Sequence, residues 1–166
     1  MQAFSASQKD AASVLQEACE TKQVESTLLT GACRFLENGG NCPLNSESEV
    51  LANIQGRWRV VWSDIVSIDA FKYIPVPEFL TINKGQLELK GYAGPLVSAF
   101  SGQYQWKPED KGFDFTMPNV KVEMFGITLV DKIREQQNRN YQIIYSSPKV
   151  VLVRTSAGGY TLLFRE

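Results

Sequence analysis

From Gly56 onward the sequence runs strand after strand, with no helical stretch between them. Ten short runs rich in Val, Ile, Phe, Tyr, Trp and Thr follow one another: Arg57–Ser63, Phe79–Asn83, Gln86–Lys90, Leu96–Trp106, Gly112–Met117, Val120–Phe125, Thr128–Ile133, Tyr141–Ser146, Lys149–Thr155 and Tyr160–Arg165. β-branched and aromatic side chains suit a pleated, half-buried surface. Turn residues separate the runs, among them Asn83-Lys84-Gly85, Pro118-Asn119, Ser147-Pro148 and Ala157-Gly158-Gly159. Without crossover helices the strands must pair antiparallel. So many strands in one domain predict a barrel or a strongly bent sheet, because closure removes exposed edges. Ile65–Glu78, which carries Pro75 and Pro77, is expected to be a loop over one mouth.

The segment before Gly56 has a different period. In Ser7–Glu20, Ala11, Val14, Leu15, Ala18 and Cys19 recur at helical spacing, and Val24–Leu36 repeats the pattern with Leu28, Leu29, Ala32, Phe35 and Leu36. Ser7 is a suitable helix start and Gly39-Gly40 a suitable stop. Ser46-x-x-Glu49 resembles a capping box before a short helix through Ile54. The apolar stripes are narrow, so the helices are expected to pack on a larger body. The 166 residues are read as one domain, with 1–55 a helical lead-in packed on the barrel and 56–166 the barrel.

Composition removes several kinds of chemistry. Histidine is absent, which takes away Ser-His and Cys-His pairs and His-bound metal. The net charge of -1 gives no bulk attraction to nucleic acid. Three cysteines, Cys19, Cys33 and Cys42, form no C-x-x-C pair, so neither a disulfide framework nor a zinc ribbon is expected. Glu123, Asp131, Glu135, Asp110 and Asp114 show no metal-loop or acid/base spacing, and no cofactor is expected. No run approaches the ~18 apolar residues of a membrane-spanning helix, and no secretory signal is expected.

Gly56-Arg57-Trp58 at the head of the first strand and Arg165 in the last one resemble the two ends of lipocalin-like barrels. There an arginine lies over the tryptophan and closes one end, because a guanidinium stacks on an indole while donating to nearby carbonyls. Ile144–Arg165 (IYSSPKVVLVRTSAGGYTLLFR) and Gly56–Ser63 (GRWRVVWS) resemble the closing and opening signatures of the plastid lipid-associated protein (PAP), or fibrillin, family. Arg154 and Arg165 stand at the two later arginine positions and Gly158 at the turn glycine. Ser146-Ser147-Pro148 replaces an acidic turn, and Val151 stands where an earlier arginine is usual. The resemblance covers both ends of the domain and the centre in pattern only. It implies a mainly β, lipocalin-like antiparallel barrel after two or three N-terminal α-helices. It also implies binding of lipids, carotenoids or quinones, and a plastid (chloroplast) address, soluble or peripheral to a thylakoid or plastoglobule.

A barrel of eight or more strands can enclose one small ligand. Candidate cavity residues are Trp62, Phe100, Tyr104, Phe113, Phe115, Met124, Ile143 and Tyr145, with Tyr104, Tyr145 and Arg154 as polar groups. Small residues in Gly91–Gly102 allow close approach of a ligand. The expected function is therefore non-catalytic carriage or stabilisation of a lipophilic molecule. One alternative is a filled barrel that docks on a membrane or protein through Phe71, Tyr73, Ile74, Val76 and Phe79 of the loop region. A less favoured one is a chromophore lyase or isomerase using Asp114 or Tyr145 for proton transfer.

Overall fold

The computed structural model describes residues 8–38, 47–64, 72–135, 138–156 and 158–165. Within these, three helices precede nine strands. The helices are α1 (Gln8–Thr21), α2 (Ser26–Asn38) and α3 (Glu47–Ile54). The strands are β1 (Gly56–Ser63), β2 (Glu78–Asn83), β3 (Gln86–Ala93), β4 (Leu96–Lys107), β5 (Gly112–Met124), β6 (Ile127–Ile133), β7 (Arg139–Ser146), β8 (Val150–Thr155) and β9 (Tyr160–Phe164). Ser7, Gly39-Gly40, Cys42, Ser46 and Phe71, which the sequence singles out, lie outside the described residues.

All nine strands belong to one antiparallel sheet in the order β4-β3-β2-β1-β9-β8-β7-β5-β6, and β4 also pairs with β5. Eight strands therefore join in a ring and β6 extends from it. The long strand β5 makes this possible by changing partners. Its first residues, Gly112–Phe115, pair with β7, and Asn119–Met124 pair with β6.

The sequence predicts a turn at Pro118-Asn119, between two strands. The structure corrects this: β5 runs unbroken through Pro118. Proline lacks an N–H and is tolerated in sheets at bulges. Here the β4–β5 register shifts between Ser101 and Gln103, opposite Pro118. At that level Gly102 approaches β5 so closely that a Cβ would lie 1.8 Å from the Thr116 carbonyl oxygen.

Two bodies of buried side chains lie on opposite faces of the sheet. One joins α1 and α2 to the outer face of β1, β7, β8 and β9, with Leu15, Leu29, Leu36, Trp62, Leu152 and Leu162 among its members. Helix α2 buries Leu29, Ala32, Cys33 and Leu36, the three- and four-residue spacing of one helix face. The other body fills the ring: Trp58, Leu80, Ile82, Leu87, Phe113, Phe115, Met117, Val153 and Leu163, with Val50 and Ile54 of α3. Because helices cover β8 and β9 outside, Val150–Val153 and Tyr160–Leu163 are buried without alternation.

One end of the ring is closed by a short set of contacts. Arg165 lies 4.1 Å from the Trp58 ring centroid. Its Nη2 donates to the carbonyls of Asn53 at 2.6 Å and Gln55 at 2.5 Å, at the end of α3. Trp58 Nε1 donates to the Ile54 carbonyl at 2.8 Å. Gly56 has φ +115°, and the Arg165 guanidinium lies 3.5 Å from where its Cβ would be. A side chain there would meet both backbone strain and the arginine.

Replacing Arg165 by Met should lower the unfolding free energy by about 2–4 kcal/mol, the loss of two charge-assisted hydrogen bonds and a cation–π contact. Arg165→Lys should recover only a minor part, since an ammonium cannot stack while reaching both carbonyls. Chemical denaturation measures this, and a loss below about 1 kcal/mol would mean that the arginine does not hold α3 to the ring.

Candidate functional site

The ring is plugged at the α3 end; the connection from β1 to β2 crosses the other end, and its residues 65–71 lie outside the described residues. The row Leu80, Leu89, Phe100, Val120 crosses β2–β5, followed toward that other end by Glu78, Gly91, Ser98 and Val122. A strand places alternate residues on one face, so Glu78 shares the inward face with Leu80 and Ile82. Gly91 stands between Glu78 and Ser98 and has no side chain, which leaves space. A Cβ on Gly91 would lie 3.2 Å from Ser98 Oγ. The result is a mainly apolar pocket of about 160 Å³, lined by Glu78, Leu89, Gly91, Ser98 and Phe100, with Val76, Tyr92, Ala93 and Leu96 around them.

Glu78 is the one charged side chain among the described residues lining this pocket. Burial pushes its carboxyl above the ordinary carboxylate range, with no cation acting in the opposite sense. Tyr141 lies close by inside the ring. Burial, reinforced by the negative charge of Glu78, pushes its phenol up to about 12. Tyr141 also meets Phe113 at 5.6 Å and Phe115 at 4.6 Å between ring centroids. An aromatic floor thus continues below the pocket.

A larger concavity, about 410 Å³, lies on the outer face of β2–β4 and is lined by Thr81, Asn83, Gln86, Glu88, Ser101, Gln103 and Asn119. Its walls are polar and solvent-facing, so water satisfies them without a ligand. The smaller inner pocket is the better candidate because apolar walls around a few polar groups are what small-molecule sites present.

The structure divides the residues expected to line a cavity. Phe100 lines the pocket. Phe113, Phe115 and Ile143 lie inside the ring, fully packed. Tyr104 is half-buried at the plugged end, where its hydroxyl accepts from Gln55 Nε2 at 3.0 Å. Met124 is exposed on the β5–β6 hairpin.

Trp62, Tyr145 and Arg154 do not line the interior, which corrects their expected place. The register shifts between Val60 and Trp62 in β1, and between Ile143 and Tyr145 in β7. Each shift is an extra residue that turns the following side chain to the other face. Trp62 and Tyr145 thus pack with α1 and α2 outside the ring, although Trp58 and Val60 point inside. Arg154 pairs with Glu37 of α2 and lies over the Tyr160 ring at 5.4 Å. Asp114 accepts from Asn140 Nδ2 at 2.8 Å and alternates with the inward Phe113 and Phe115, so it too faces outward.

The expected docking loop is largely occupied. Tyr73 donates from its hydroxyl to the Val24 carbonyl at 2.6 Å. Ile74 packs on the ring interior. Phe79 lies under Arg57, 3.8 Å from ring centroid to guanidinium carbon. Val76 of the expected loop is exposed, but the most exposed apolar side chains stand elsewhere: Phe125, Ile127, Leu129 and Ile133 of the β5–β6 hairpin. Sequence reasoning missed Glu78, treated as the end of a loop, and this hairpin, whose Ile127, Leu129 and Ile133 alternate as those of a half-buried strand do.

No family model matches the chain, and no curated protein matches it at a significant level.

A raised folded-state pKa at Glu78 means that the folded protein holds this proton more tightly than the unfolded chain. Stability should therefore fall as pH rises from about 4.5, the ordinary value, through the folded-state value. Glu78→Gln should raise the melting temperature at pH 8 and flatten that decline. Melting curves between pH 4 and 9 test this, and an unchanged slope would show that Glu78 is not desolvated.

Proposed function

We propose that this protein is a non-catalytic binder of a lipophilic small molecule, a lipid, carotenoid or quinone, in a lipocalin-like β-barrel of the PAP/fibrillin kind, associated with plastid membranes. The observation that carries this is the mainly apolar pocket at the end of the ring away from α3. The opposite end is plugged by α3, Trp58 and Arg165, as the resemblance to lipocalin-like barrels implies. Ligand binding there rests on burial of apolar surface, worth roughly 25 cal/mol per Å² before ordering costs. The test is organic extraction of protein from its native source with mass spectrometry, and uptake of added lipophiles by the purified chain. Stoichiometric ligand is expected, with uptake lost in Gly91→Leu, whose side chain would occupy the pocket. An empty native extract together with no uptake would sink the proposal.

A second reading, docking on a lipid surface, is favoured by the β5–β6 hairpin. Phe125 is 78% exposed and has φ 51°, a conformation that costs a bulky residue about 1–2 kcal/mol. A turn serving structure alone would take Asn or Gly at this position. Phe125 N–H donates to the Pro95 carbonyl at 3.2 Å, and Pro95 precedes Leu96 of the pocket wall. The hairpin tip therefore stands beside the pocket mouth, where an apolar tip in a bilayer would let a lipophile pass without crossing water. Phe125→Ser with Ile127→Ser should reduce flotation with neutral-lipid vesicles about tenfold and leave ligand uptake intact. Unchanged flotation would remove the hairpin from the account.

A further inference from the structure

We infer that the pocket selects an uncharged lipophile with a hydroxyl or carbonyl oxygen at its polar end, and excludes fatty acids and other anionic lipids. This rests on the reading of the pocket as a ligand site. Across three neighbouring strands Glu78, Gly91 and Ser98 form one row, so two polar side chains flank a gap left by glycine. Below them the walls are Leu89 and Phe100. A ligand's apolar part can lie on these while its oxygen reaches the level of Glu78 and Ser98.

Charge decides which oxygen is accepted. Lysine and arginine are absent from the described pocket lining, the Arg134 guanidinium lying 4.9 Å from the ring centroid of the wall residue Phe100, and Glu78 makes no ion pair among the described residues. An ionised Glu78 repels an incoming carboxylate directly. A protonated Glu78 could share its proton with that carboxylate, but the pair would still carry one negative charge in mainly apolar surroundings where no cation acts on Glu78, which is costly. A hydroxyl meets neither penalty: it donates to Glu78 when the carboxyl is ionised and accepts from it when protonated. A carbonyl or ester oxygen accepts from Ser98 or from the protonated carboxyl.

The experiment compares 1-dodecanol with dodecanoate, which share a chain and differ at the polar end, in calorimetric titrations at pH 8. The full-length protein, Glu78→Gln and Glu78→Leu are each titrated, with circular dichroism checking the fold. The wild-type protein should bind the alcohol at least about tenfold more tightly than the carboxylate. Glu78→Gln removes the repulsion but not the cost of an unpaired charge in the site, so it should narrow that ratio at least about threefold without abolishing it. Equal binding of both by the wild-type protein, or a ratio unchanged in Glu78→Gln and Glu78→Leu, would overturn the selectivity while leaving the pocket a binding site. Binding of neither compound by wild-type protein or variants would overturn the pocket reading itself.

Discussion

The stacking of Arg165 on Trp58 holds the last strand, the first strand and the last helical turn at one point. The guanidinium donates to two carbonyls where α3 ends, and the indole beneath it donates to a third. Terminal carbonyls of a helix have no partners within it, and these would otherwise be buried or left to water. Satisfying them joins a segment near residue 55 to one near residue 165. The end at which β1 enters and β9 leaves is thereby plugged.

With one end plugged, two irregularities in the strands determine what faces inward. The extra residues at Val61 and Ile144 carry Trp62 and Tyr145 to the outer face, where α1 and α2 cover them. The helices are thus part of the core rather than an appendage. They bury two thiols, Cys19 and Cys33, and desolvation pushes both thiols up, Cys19 to about 12. Buried thiols of that kind are inert to ordinary thiol chemistry. Covering the outer face on one side frees the strands β2–β4 on the other side to carry polar residues outward and a sparse, small-residue lining inward.

That sparse lining produces the asymmetry of the interior. Toward α3 the ring is filled by Trp58, Leu87, Phe113 and Phe115. Toward the other end, Gly91 and Ser98 replace bulky side chains, and Glu78 stands in mainly apolar surroundings where no cation acts on it. The same end carries the hairpin that places Phe125 in solvent. A partly buried carboxyl and an exposed aromatic residue both cost stability, and they occur at one end of the molecule, beside the pocket. That coincidence unites the proposed ligand site and the proposed lipid-facing tip.

Much of this architecture was legible in the sequence. The switch from helical to strand character at Gly56 and most strand limits follow from periodicity and residue types, while the Trp58–Arg165 pairing came with the resemblance to lipocalin-like barrels. The small residues of Gly91–Gly102 marked the region of the pocket, because missing side chains are visible in sequence. Other features depended on long-range pairing. Bulges move a side chain across the sheet without changing its local pattern, so Trp62 read like Trp58. Pro118 read as a turn because only the change of partners along β5 shows that its missing N–H is tolerated there. Glu78 looked like a loop terminus until the register placed it opposite Gly91, inside the ring. Ile127, Leu129 and Ile133 alternate as on a buried face, a pattern the sequence reading passed over, and only the tertiary structure left that face uncovered. Sequence alone determined which segments become helix or strand, since those preferences are local. Inside and outside, filled and open, were decided by the ring, because they depend on which distant residues a strand meets.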